Sequence, residues 1–140
     1  MKEIDKKLIE TISRYTASGI DQQVDYEKFY LYSLITHSTA IEGSTVTEVE
    51  NQLLFDEGIA AKGRSLNEQM MNVDLKNAYL YGFEWAKTGQ PYSVELLCEL
   101  SAKVMRRTGS EYSTMGGSFD SSKGELRRCN VSAGIGGRSY

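Results

Sequence analysis

Two capping boxes fix where helices begin in the first half of this chain. Thr47 is followed three residues later by Glu50, and Ser65 stands in the same relation to Glu68. In such a box the two side chains satisfy backbone N–H groups that the first turn of a helix leaves without partners. The sequence therefore predicts that one helix begins directly after each box.

Apolar residues at a spacing of three or four extend this pattern to five helices before residue 108. The predicted helices run, in order, from about Ile4 to Gly19, from Asp21 or Asp25 to Glu42 or Gly43, from Thr47 to near Gly58, from Leu66 to about Lys87, and from Ser93 to Arg107. The fourth is predicted to be the central core helix. The first is predicted to bury one stripe formed by Ile4, Leu8, Ile12 and Tyr15.

The last third of the chain has a different character. Residues 109–124 are dense in Gly, Ser and Thr, which predicts an exposed loop. Residues 126–137 alternate loosely and end in glycines, which is typical of a short strand or half of a hairpin. The predicted fold class is therefore mainly α, a helical bundle with a short C-terminal β-hairpin. Because a two-stranded hairpin is marginal in water by itself, a chain that ends at Tyr140 leaves this element short of packing partners, and the sequence is expected to be truncated.

Composition excludes several classes of function. The 140 residues, 40% of them hydrophobic, suit one core. Sixteen Lys and Arg against nineteen Asp and Glu give a net charge of -3, which offers no broad cationic face to nucleic acid. No stretch approaches the roughly 18 apolar residues of a membrane-spanning helix. We expect a cytoplasmic protein that binds neither nucleic acid nor membrane.

The inventory of catalytic and metal-binding residues is small. His37 is the one histidine, so a multi-histidine metal site is excluded. Cys98 and Cys129 form no CxxC pair, so both are expected to be reduced thiols rather than zinc ligands or a disulfide.

The end of the second predicted helix holds an unusual carboxylate. Ser38 and Glu42 are four residues apart and share a helix face, and Gly43 follows as a stop residue. A carboxylate at the negative end of a helix is disfavoured by about 0.3 to 1 kcal/mol, so a cationic partner, such as an arginine, would explain it. The spacing alone favours a simpler interpretation, in which Glu42 is a solvated residue at a helix end.

The sequence around Glu42 favours a functional role for this residue over the simpler interpretation. The segment STAIEGS, residues 38–44, followed by TVT and a short helix, resembles the region upstream of the catalytic core in Fic-family proteins. These enzymes transfer AMP from ATP to hydroxyl side chains of proteins. The resemblance continues through Leu66-Asn67-Glu68, Asn72 and Asn77-Ala78, and then through GELRR at 124–128 to IGG at 135–137. It covers roughly residues 30–140, and the order and spacing of the pieces make it specific.

The resemblance implies roles for two groups of residues. Ser38, Glu42 and Gly43 match the family's inhibitory helix motif, whose glutamate pairs with a catalytic-loop arginine that would otherwise hold the ATP γ-phosphate. The segment containing Arg128, Val131 and Ile135 resembles the family's flap, a hairpin that docks the target protein through its backbone. Simple packing of Val131 and Ile135, and a solvated charge at Arg128, remain open as alternatives.

The family's catalytic signature, H-P-F-x-x-G-N-G-R-x-x-R, does not occur in these 140 residues. His37 has no Gly-Asn-Gly loop after it and is expected to be an ordinary helix histidine. The resemblance therefore assigns no catalytic residue and no metal ligand to this chain, and ATP and Mg²⁺ are expected only for a complete Fic enzyme. Residues 1–62 would form a helical region carrying the inhibitory helix, and residues 63–140 the beginning of a Fic-like core truncated before the catalytic loop.

The leading interpretation is an autoinhibitory, catalytically inactive part of a Fic-type AMP transferase. Its partners would be a Fic catalytic core or a protein target, and an exposed apolar face would favour homodimers. A second interpretation is a stand-alone inhibitor that offers Glu42 to a separate Fic enzyme, as an antitoxin does. A third is a helical interaction domain with no Fic role.

Overall fold

A computed structural model describes residues 3–130 and the backbone of residues 132–133 and 138–139. This part of the chain is mainly helical, and its helices are Glu3–Ala17 (α1), Tyr26–Ile41 (α2), Glu48–Asp56 (α3), Leu66–Lys87 (α4) and Val94–Val104 (α5). Its strands are Glu111–Thr114 (β1), Gly117–Asp120 (β2), Ser132–Ala133 (β3) and Arg138–Ser139 (β4). The strands β3 and β4 pair antiparallel. The predicted fold class, five helices and a short C-terminal hairpin, is confirmed.

Side-chain caps set the helix starts as the sequence predicts. Both capping boxes form, with Thr47 bonded to Glu50 at the start of α3 and Ser65 bonded to Glu68 at the start of α4. The carboxylate of Asp25 caps the first turn of α2, which decides between the two predicted starts of that helix. No helix of the described chain is long and apolar enough to cross a membrane.

Helix α4 lies at the centre, because it packs against both α2 and α5, while α3 packs against α2. The predicted central position of α4 is therefore confirmed. Its buried residues are mostly polar, however, and the fully buried set of the described chain mixes one aliphatic side chain with polar ones: Ile35, Asn51, Asn72, Thr39 and Asp74.

Asp74 ties α4 to the residues that directly follow α5. Its buried carboxylate accepts a hydrogen bond from the backbone N–H of Arg107 at 2.7 Å and forms an ion pair with the Arg107 guanidinium. Because a buried carboxylate needs both charge compensation and hydrogen bonds, this contact fixes the relative position of the two helices.

The prediction that α1 buries its apolar stripe is wrong. Helix α1 has no buried residue, and Ile4 at its start is 77% exposed. It packs against the 3-10 turn Ile20–Gln22 that follows it, while the rest of the described chain leaves the stripe uncovered. Amphipathic spacing reports what a helix is able to bury, but it does not supply the partner.

The prediction of an exposed loop over residues 109–124 is also wrong. Strands β1 and β2 form an antiparallel hairpin in which Glu111 lies opposite Asp120 and Tyr112 opposite Phe119. The rings of Tyr112 and Phe119 stack at 5.1 Å, and Phe119 is buried. This cross-strand aromatic pair supplies the packing that the surrounding Ser and Gly residues cannot provide.

The hairpin is followed by a close approach between two backbones. Gly124 has a φ of +70°, and a Cβ built at this position would lie 1.9 Å from the backbone oxygen of Cys98 in α5. Only a glycine permits both the left-handed conformation and this contact. Gly124 therefore holds the residues that follow the hairpin against α5.

Candidate regulatory site

Helix α2 ends in the place and manner that the sequence predicts. Its last residue is Ile41, and Glu42 is the C-cap. The N–H of Glu42 donates to the carbonyl of Thr39 at 3.0 Å, and that of Gly43 donates to Ala40 at 3.1 Å. Gly43 adopts a φ of +94°, a region that favours glycine and stops the helix.

The Glu42 carboxylate at this helix end is exposed and unpaired. Neither a hydrogen bond nor an ion pair engages it among the residues that the structure describes. Ser38 lies one turn earlier and is half-buried. The described chain therefore contains no arginine partner for Glu42, so any such partner belongs to a segment or molecule outside it.

The backbone that carries Glu42 is, in contrast, held by a buried hydrogen-bond network. The side-chain oxygen of Asn72 accepts from the Thr39 hydroxyl and from the Asn51 amide, both at 2.8 Å. The Asn51 amide also donates to the Thr36 hydroxyl at 2.8 Å, and the Asn72 amide donates to the Ser44 hydroxyl at 3.1 Å. All five residues are buried. The network joins α2, α3, α4 and the residue two positions after Glu42.

Thr45, which follows Ser44, is held by hydrogen bonds as well. The N–H and hydroxyl of Thr45 donate to one oxygen of Glu68 at 2.8 and 2.7 Å, and Arg64 donates to the Thr45 hydroxyl at 3.0 Å. Hydrogen bonds from Ser65 and Thr45 lower the pKa of Glu68 to about 2, so this carboxylate stays charged at neutral pH. Glu42 thus combines an unengaged carboxylate with an anchored backbone.

Sequence reasoning missed most of the residues that do this anchoring. Thr39, Ser44 and Asn72 entered only as part of the segments that carry the family resemblance, without a role. Thr36 and Asn51 did not enter at all. A signal was present in α2, where Thr36 and Thr39 are three residues apart on the side of the helix that contains the fully buried Ile35. Small polar residues on a buried helix face indicate internal hydrogen bonds.

Of the three predicted flap residues, the structure describes Arg128 alone. Arg128 is exposed, and its backbone oxygen accepts a hydrogen bond from the Thr114 hydroxyl at 3.0 Å. This contact places Arg128 beside the turn of the β1–β2 hairpin. Val131 and Ile135 lie outside the residues that the structure describes. The described contacts do not join Arg128 to Glu42.

His37 bridges two helices. Its Nε2 atom lies 3.2 Å from Glu48 at the start of α3, and the same carboxylate oxygen accepts from the Ser33 hydroxyl at 2.7 Å. The described residues include no group of three His, Cys, Asp or Glu side chains suited to a metal ion. Cys98 and Cys129 are both free thiols.

Comparison with known proteins does not identify this site. No family model matches the chain, and no curated protein matches it either. The site offers a single chemical feature, a carboxylate without a partner at a fixed helix end. Such a group is suited to accept two parallel N–H bonds from a guanidinium.

Proposed function

We propose that this chain is the regulatory part of a Fic-type protein AMP transferase, in which Glu42 blocks productive binding of ATP. The observation that supports this proposal best is the contrast at the end of α2. The Glu42 carboxylate is exposed and unpaired, whereas the chain on both sides of it is held by buried hydrogen bonds between Asn72 and the side chains of Thr39 and Ser44. An inhibitory group needs both properties, since it must be available and must also be held in position.

The proposed chemistry is competition between two anions for one cation. A carboxylate and a phosphate both accept the paired N–H donors of an arginine, so a guanidinium that is engaged by Glu42 cannot hold the γ-phosphate at the same time. Fixing the backbone beforehand lowers the entropy cost of forming this pair. The pair would also offset the unfavourable position of a carboxylate at a helix C-terminus.

The catalytic machinery in this proposal belongs to a Fic core that carries the signature missing from this sequence. We assign ATP and Mg²⁺ to that core and not to this chain, because the signature carries the groups that bind them in the family. The core is either continuous with this chain or a separate protein to which the chain binds. In either arrangement the chain by itself is inactive, the modified partner is a protein, and the compartment is the cytoplasm, where ATP is abundant.

The test begins with the mass of the protein in its native cell, measured with an antibody against this chain. If the mass exceeds 15.7 kDa, Glu42→Gly is introduced into that longer protein. If the mass equals 15.7 kDa, the variant is tested on the Fic protein that is captured with the chain. We expect Glu42→Gly to increase the transfer of labelled AMP in the first case and to relieve inhibition in the second.

Glu57→Gly is the matched control. Glu57 is an exposed glutamate at the C-cap of α3, and it is also followed by a glycine with positive φ, Gly58. This variant should leave AMP transfer unchanged. Equal effects of the two variants would assign the change to helix ends in general and would overturn the role of Glu42. An absence of both AMP transfer and a captured Fic protein would favour the helical interaction domain.

A further inference from the structure

Helix α1 presents an apolar face that nothing in the described chain covers. Its apolar side chains are between 39% and 77% exposed: Ile4, Leu8, Ile9, Ile12 and Tyr15. An isolated helix of 15 residues is marginal in water, and most helices in proteins owe their stability to packing of the apolar face. The helix therefore needs a partner surface.

A groove of matching character lies between α2 and α4. Its floor is formed by apolar residues from both helices, and three of them, Leu34, Leu80 and Phe83, are between 43% and 48% exposed. We call this surface the α2–α4 groove. Such a contiguous and half-exposed apolar surface is typical of an interaction site.

The charges beside the two surfaces are complementary. On a helix of 3.6 residues per turn, Lys7 and Arg14 fall two turns apart along one edge of the α1 stripe. Glu3 and Glu10 lie behind them, farther from the stripe, and Asp5 lies at its other edge. The rim of the α2–α4 groove carries the carboxylates of Glu27 and Glu84 and one ammonium, that of Lys87, which is paired with Glu84 at 2.6 Å. The basic edge of α1 therefore meets a rim with an excess of negative charge.

We propose that α1 docks in the α2–α4 groove of a second copy of this chain, so that two molecules exchange their first helices. In a dimer with two-fold symmetry the same pair of surfaces meets twice, so both stripes and both grooves are covered. In the described chain α1 contacts the turn Ile20–Gln22 and leaves its own groove open, so both surfaces are free to meet a second copy. The groove receives an amphipathic helix by the packing that helix-in-groove recognition uses.

The first experiment measures the mass of the chain in solution by light scattering over a range of concentrations. Wild type should have twice 15.7 kDa, whereas Leu8→Asp in α1 and Phe83→Asp in the groove should each weaken dimerisation at least about 100-fold. Glu10→Ala, on the opposite face of α1, is the control and should dimerise as wild type does. Both apolar positions are exposed in the single chain, so circular dichroism should show a folded monomer.

The second experiment identifies the occupant of the groove. In a background with Cys98→Ser and Cys129→Ser, the single variants Leu8→Cys and Phe83→Cys are mixed and oxidised, and a disulfide-linked pair should form. A monomeric wild type at about 100 μM would overturn the proposal, since it would place the dissociation constant above the range of stable dimers. A dimer that Leu8→Asp leaves intact would overturn it too.

Folding back of α1 onto its own groove is the competing arrangement. The double variant with Leu8→Cys and Phe83→Cys in one chain would then close an internal disulfide at high dilution, and the mixed single variants would not cross-link. That result would also overturn the exchange. These measurements follow self-association alone, so they do not depend on whether Glu42 inhibits AMP transfer.

Discussion

Helices α1 and α2 are almost equal in length, at 15 and 16 residues, and they are attached to the protein in opposite ways. Helix α1 has the stronger amphipathic pattern and buries nothing, whereas α2 has the weaker pattern and buries Ile35, Thr36 and Thr39. The strength of an apolar stripe therefore does not rank helices by how firmly they are held. Hydrogen bonds between small buried polar side chains hold α2, and they leave little trace in the hydrophobic pattern.

The largest expected difference between the two helices comes from the same substitution made in each. Ile35 is fully buried and Ile12 is 53% exposed. Ile35→Ala should lower the free energy of unfolding by about 2 to 5 kcal/mol, because it removes apolar contacts and leaves a cavity. Ile12→Ala should change it by less than about 0.5 kcal/mol in dilute monomer.

Urea unfolding monitored by circular dichroism checks both values. Similar losses for the two variants would show that α1 is packed as firmly as α2, and the comparison would fail. A loss for Ile12→Ala that grows with protein concentration would instead support packing of α1 between two copies.

The next largest effect is expected at the centre of the polar network. Asn72→Ala removes the acceptor for Thr39 and Asn51 and the donor to Ser44. Thr39 and Ser44 keep other hydrogen bonds, whereas one amide hydrogen of the buried Asn51 is left without an acceptor. The expected cost is about 1 to 3 kcal/mol. Asn77→Ala, an exposed asparagine of the same helix, is the control and should be close to neutral.

This variant also connects stability with the proposed inhibition. If the network positions Glu42, hydrogen exchange at residues 42–45 should become faster in Asn72→Ala than in Asn77→Ala, while exchange in α5 stays the same. Equal exchange at residues 42–45 in the two variants would show that the end of α2 is held by something other than Asn72.

The smallest expected effect is on the stability of the fold at acidic pH. The pKa of Glu68 is about 2 in the folded chain, below its ordinary value of 4.5, because Ser65 and Thr45 donate hydrogen bonds to the charged form. The stabilisation is therefore fully present above about pH 5 and is lost progressively as the pH falls towards 2. Urea midpoints measured between these values should fall less steeply in Glu68→Gln than in wild type. Glu10→Gln, on exposed α1, is the control for the loss of one carboxylate.

Local signals in the sequence account for much of this fold. Caps and glycines act within one turn of a helix, so Ser65 and Gly43 could be placed without knowledge of the rest of the chain. The site was predictable to the same extent, since the end of α2 at Glu42 follows from local sequence alone.

What the sequence could not provide depends on contacts between distant residues. Asn51 and Asn72 are 21 residues apart and meet only when α3 and α4 pack. The β1–β2 hairpin escaped prediction because one aromatic pair, Tyr112 and Phe119, stabilises a segment whose composition otherwise indicates a loop. The exposure of the α1 stripe could not be predicted either, because periodicity does not reveal which surface covers a helix.

The glycine that touches α5 has a consequence for genetics. Any single-base change in the first two positions of a glycine codon introduces either a side chain or a stop. At position 124 a new Cβ would collide with the backbone oxygen of Cys98, whereas at position 43 it would meet nothing within 4 Å. In a library of random codon changes, Gly124 should therefore be depleted of variants under selection for folding alone. Variants at Gly43 should survive that selection more often, despite the strain of a positive φ there.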